Sequence, residues 1–153
     1  VRWFAGTEKD AQLLTDRSRV ERRVKVHAAL GRVVLRAGLP RESGRRHWQQ
    51  VAERFFADHD VLVTPALAQR PLAAAPWSQR GWLANVTANS RYAPFAAPWN
   101  LAGWPAAAVP AGTHPRGTPL SVQLVAPPGG EQLLLQVAAQ LEQLRPWTRL
   151  APL

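Results

Sequence analysis

Nine of the chain's fourteen prolines fall between Pro65 and Pro119. Proline fixes φ and has no N–H, so a stretch this rich in it cannot form one long helix or a central strand. The segment is therefore predicted to be a long irregular loop with little periodicity. In compact proteins such segments are functional loops or linkers. Six bulky aromatics, Trp77, Trp82, Tyr92, Phe95, Trp99 and Trp104, argue against a solvated linker. They must line a pocket or cover a surface belonging to another part of the protein.

Around this loop the patterning is regular. Residues 8–37 are predicted to be helical, because Val20, Val24, His27, Leu30 and Val34 recur at spacings of three and four. Gly38 and Pro40 end that run. A second helix is expected from about Ser43, a plausible N-cap, with Trp48, Val51, Ala52, Phe55 and His59 on its apolar face. Three short strands follow: Val61 to Thr64, Ala106 to Val109 between two prolines, and Leu120 to Val125. A last helix, Glu131 to Leu144, presents Leu133, Leu134, Val137, Ala138, Leu141 and Leu144 as one stripe. The order predicts an α/β chain: a sheet covered by helices, with too few strands to close alone. A helical segment, 1–59, precedes an α/β segment, 60–153.

Composition excludes several classes. The chain has no Cys, so it has no disulfides, thiolate metal sites or cysteine nucleophile. No apolar run is long enough to span a membrane. The first residue is Val and Met is absent, so the chain is read as a fragment. Between Arg17 and Arg46, ten Lys/Arg face two acids, Glu21 and Glu42, a local balance of +8. A nucleic-acid stripe would show aromatics interleaved with the charges, and this run has none. It is read instead as the solvated face of an Arg-rich helix. Lys occurs only at 9 and 25 while Ala, Arg and Pro abound, the bias of a GC-rich coding sequence. Asn85-Val86-Thr87 matches a glycosylation sequon and is expected to be idle.

Self-contained catalysis finds no support. There is no Gly-x-Ser-x-Gly elbow, no His-Glu-x-x-His helix and no phosphate-cradling glycine loop. His27, His47, His59 and His114 lack ligand spacing, and His59-Asp60 reads as a helix end. No cofactor is implied.

Three phrases, taken in order, carry the strongest signal. The first is Asp60-Val61-Leu62-Val63-Thr64-Pro65-Ala66. The second runs from Pro98-Trp99-Asn100-Leu101-Ala102-Gly103-Trp104-Pro105 to Gly112. The third is Gly117-Thr118-Pro119-Leu120-Ser121-Val122-Gln123-Leu124-Val125, followed by Gly129, Gly130 and the Leu-rich helix. Together they resemble the carboxy-terminal region of the amidase-signature family, the Ser-cisSer-Lys amidases. The likeness covers 60–147 well and 1–59 loosely. On the residues alone, Asn100 can bond local backbone, Gly103 supplies a bend, and Gln123 either bonds a buried neighbour or faces solvent.

The resemblance implies an incomplete mixed sheet flanked by helices, in a cytoplasmic bacterial amidase acting on a small-molecule amide. It places Thr64, Pro65, Asn100, Gly103 and Trp104 near the substrate pocket. With Trp104, Trp77 and Trp82 would shape an apolar site. Family members use a serine nucleophile, a bridging serine in a cis peptide and a lysine, all from an upstream Gly/Ser-rich core. Ser18, Ser43, Ser78, Ser90 and Ser121 lie in no Gly-Gly-Ser or Ser-Ser run, and Lys9 and Lys25 lack the family context. No catalytic residue is carried over, and the missing amino-terminal part is the expected partner. Two alternatives stay open: a glutamine-amidotransferase subunit of the same fold, and a basic module binding nucleic acid or an acidic partner.

Overall fold

The structure, a computed structural model, describes residues 1–147. Its elements are α1 (Arg2–Gln12), α2 (Arg22–Arg36), α3 (Glu42–Phe56), β1 (Leu62–Pro65), a 3-10 turn (Trp77–Gln79), α4 (Trp82–Tyr92), α5 (Ala96–Ala102), β2 (Ala106–Thr113), β3 (Pro119–Val125) and α6 (Glu131–Leu144). The three strands pair antiparallel in the order β1-β3-β2. Leu62 faces Val125 on one side of β3, and Ala106 faces it on the other.

Alternation along β3 sends neighbouring side chains to opposite faces of the sheet. Val125 joins Ala52, Trp99, Ala102 and Trp104 on the α3–α5 side, with Trp48, Phe56 and Leu62 packed against them. Leu124 joins Val109, Ala126 and Leu134 on the α6 side, with Val61, Val122, Val137 and Leu141. Helices thus cover both faces, as the strand and helix order predicts. The stripe on α6 holds except at its end, where Leu144 is exposed.

Pro110 lies inside β2, a strand longer than the four-residue run expected. The sheet accepts it because β2 is an edge strand and its pairing with β3 shifts between Pro110 and Gly112. On α3, Phe56 rather than Phe55 packs into the core, and Phe55 stacks on His59 with ring centroids 4.3 Å apart. The helix starts at Glu42 rather than at a Ser43 cap, and Arg41 provides no side-chain cap. Glu42 suits the positive end of the helix dipole.

Two expectations need correction. Residues 8–37 form not one helix but two, α1 and α2, packed as a hairpin. The Asp16 carboxylate accepts the Ser18 N–H at 2.8 Å. Such a local bond offers the backbone an alternative to continued helix. Folding back also lets α1 bury Ala5, Glu8 and Ala11. Gly31 makes the close approach feasible: a Cβ there would lie 2.0 Å from the Phe4 carbonyl oxygen.

The second correction concerns 65–119, which is not a structureless loop. It holds the 3-10 turn, α4 and α5. The window between Pro76 and Pro94 has no proline, and α4 forms there. In α5, Pro98 falls in the first turn, where its missing N–H costs no helical bond. Asn85 of the sequon donates to the carbonyls of Trp77, Arg80 and Gly81, each at 3.1 Å. Its amide nitrogen is therefore committed to the fold.

Candidate functional site

Gln123 of β3 links Thr64 of β1 to Phe95 at the start of α5, while Asn100, Gly103 and Trp104 lie toward the other end of that helix. Thr64 lies opposite Gln123 in the β1–β3 register. Gln123 is only 6% exposed. A buried amide must find partners, and its Nε2 donates to the Phe95 carbonyl at 3.1 Å and to Thr64 Oγ1 at 3.4 Å. The two readings open for Gln123 are thereby decided in favour of the buried bond. Pro65 follows at the exposed end of β1.

Asn100 sits on the exposed side of α5, and Trp99 and Ala102 on its buried side. Gly103 ends the helix with φ +74, a left-handed conformation that favours glycine. There the N–H groups of Gly103 and Trp104 both donate to the Trp99 carbonyl, at 2.8 and 3.2 Å. Trp104 then enters the core, 8% exposed, with its ring 5.5 Å from Phe56.

The three tryptophans expected to shape one apolar site stand apart. Trp104 is in the core. Trp82 packs on Phe4 and His27 at centroid distances of 6.1 and 5.4 Å. Trp77 borders a cavity of about 490 Å³ formed by Pro71 to Ala75 against α4. A larger groove, about 820 Å³, lies between the sheet and α6 and is bordered by Val63, Val122, Val137, Leu141 and Trp147. Thr64, Pro65, Asn100, Gly103 and Trp104 line neither.

Reasoning from sequence missed the residues that hold α5. On α3, Arg45 Nη2 and Gln49 Nε2 donate to the Ala102 carbonyl at 3.2 and 2.8 Å, and Trp48 Nε1 donates to the Pro98 carbonyl at 2.9 Å. Their spacing, 45, 48 and 49, is a helical-face signal. It was hidden because Arg45 belongs to the basic run read as solvated.

No described serine and lysine form a hydroxyl–amine pair of the expected kind. Lys25 Nζ comes near Ser18 but donates to its backbone carbonyl at 2.9 Å, while the Ser18 hydroxyl bonds Asp16. His59 Nδ1 is 2.9 Å from the Phe55 carbonyl, a helix-end contact rather than half of a catalytic dyad. Among the described residues, no three His, Asp or Glu are grouped to hold a metal ion.

The amidase family profile matches residues 9–135. The chain belongs to the amidase family. The protein AmiB2 of Mycobacterium tuberculosis, named as an amidase, is 35% identical over 158 residues, which cover 99% of this chain and 33% of that protein. The 6-aminohexanoate-cyclic-dimer hydrolase of a Pseudomonas species is 36% identical over 115 residues, 70% of this chain and 23% of the hydrolase. A solved structure of 6-aminohexanoate cyclic dimer hydrolase superposes with a TM-score of 0.62 at 26% identity, over 94% of this amidase chain and 32% of that one. The chain thus spans about a third of the length of its full-coverage relatives. The match also reaches back through α2 to the end of α1, well beyond the motif phrases.

Proposed function

We propose that this chain is the carboxy-terminal part of a cytoplasmic amidase that hydrolyses carboxamide C–N bonds through an acyl-enzyme, and that the chain alone is inactive. The observation that carries this reading is the family match over 9–135 combined with coverage of only a third of the relatives. A nucleophile activated without histidine needs a serine and a lysine in contact, and the Ser18–Lys25 geometry does not provide one. The chemistry is therefore assigned to the part of the relatives that this chain does not span.

The chain's own contribution is structural: three strands of the sheet, and one wall of the substrate pocket. Thr64, Pro65, Asn100 and Gly103 form that wall, with Trp104 holding it from the core. Exposure of Pro65 and Asn100, with the Gln123 bond that ties β3 to the start of α5, supports the assignment. Among the described residues, no helix is long and apolar enough to cross a membrane. The test is turnover by the full-length gene product across aliphatic and aryl amides, including the cyclic dimer of 6-aminohexanoate. Release of amine or ring opening is expected. No turnover on any of them would count against the reading.

A further inference from the structure

Helix α5 has seven residues, too few to hold its own conformation in water. The last carbonyls at its carboxyl end have no partner within the helix, and side chains from two other elements reach carbonyls at both of its ends. At the carboxyl end, Arg45 and Gln49 converge on the Ala102 carbonyl. At the amino end, Gln123 reaches the Phe95 carbonyl. Between them Trp48 bonds the Pro98 carbonyl and meets the Trp99 ring at a tilt, centroids 5.5 Å apart. The guanidinium also places positive charge at the negative end of the α5 dipole.

Gly103 is constrained twice. Its φ is +74, and a Cβ there would lie 3.0 Å from Arg45 Nη2. The glycine of the Asn-x-x-Gly segment thus leaves room for the arginine that grips the same turn. Arg45 is itself steered by Glu42, 3.4 Å from its Nη1.

We propose that Arg45 and Gln49 of α3, together with Gln123 of β3, are positioning residues that fix the roll of α5 and so aim Asn100 into the substrate site. The inference deepens the proposed wall and rests on it. Clamping from both ends leaves the helix one rotation about its axis, with Trp99 and Ala102 inward and Asn100 outward.

The experiment compares Arg45→Met/Gln49→Met, Arg45→Lys and Asn100→Ala in the full-length gene product. Hydrogen exchange over 99–104 reports the clamp, and kcat and KM on amides report the wall. The double variant is expected to speed exchange of the Gly103 and Trp104 amides about tenfold, and to raise KM several-fold with less change in kcat. Arg45→Lys, which keeps a charged donor, should recover part of both. Asn100→Ala should raise KM without altering exchange. Unchanged exchange in the double variant would overturn the clamp. Faster exchange with unchanged KM, while Asn100→Ala still raises KM, would overturn the positioning role. A silent Asn100→Ala beside faster exchange would instead sink the wall reading and leave the clamp as a purely structural device.

Discussion

Between α1 and α2 the buried residues are Ala5, Glu8, Ala11, Ala28 and Gly31, whereas between the sheet and its helices they include Trp99, Trp104, Val109, Leu124, Val125 and Leu134. The hairpin thus gains little apolar area. It depends on close backbone approach at Gly31 and on Glu8, which is only 1% exposed and receives Arg32 at 3.2 Å and Gln12 at 3.1 Å. The sheet gains large apolar area on two faces. Beyond its own packing the hairpin meets the rest through Arg2, bonded to Glu42 and to the Arg41 carbonyl, and through the rings of Phe4, His27 and Trp82. The contrast teaches that the layer carrying the motif residues should outlast the hairpin when the chain is stressed.

The strongest way to break that comparison is to attack the sheet. Leu124→Ala should cost about 3 kcal/mol, because a 1%-exposed side chain between β3 and α6 leaves a cavity. Denaturant titration should show the whole sheet layer weakened. Gly31→Ala should cost about 2 kcal/mol by forcing Cβ against backbone. Hydrogen exchange should then rise in α1 and α2 while β3 stays protected. Loss of β3 protection would mean the two regions are not separable.

Glu8→Gln should cost about 1 kcal/mol, since the Arg32 side chain is half exposed and solvent weakens the pair. Hydrogen bonds from Gln12 and Arg32 hold the Glu8 carboxyl below the usual range. Its stabilisation is present above the ordinary carboxylate value and fades as pH falls through the folded one. Acid melts of Glu8→Gln should lose that part of the slope. His27 gives the smallest effect. Burial pushes its imidazole down, so the fold prefers the neutral ring. Stability then declines as pH falls through the ordinary histidine range, and His27→Phe should flatten the decline, read as helix content against pH.

The last helix and three strand positions were legible because their periodicity is undisturbed by special residues. The hairpin was not, because residues 13–21 look helical in composition and only the Asp16–Ser18 bond reveals the turn. Helix α4 was masked by the prolines on either side, although a proline-free window marked it. Thr64, Asn100 and Gly103 came to the proposed site through the resemblance of their phrases to the family, and of these the bend at Gly103 was readable from the residue itself. The clamp was not, because Arg45 and Gln49 lie more than fifty residues from the carbonyl they bond. No local pattern predicts so distant a partner.

In the proposed function this amidase chain supplies sheet and wall while the acyl group is carried elsewhere. That division is tested most directly by trapping the acyl-enzyme of the full-length gene product with an activated amide and locating the adduct by peptide mass mapping. An adduct on a serine outside residues 1–153 is expected. An adduct on Ser18, Ser43, Ser78, Ser90 or Ser121 would contradict it.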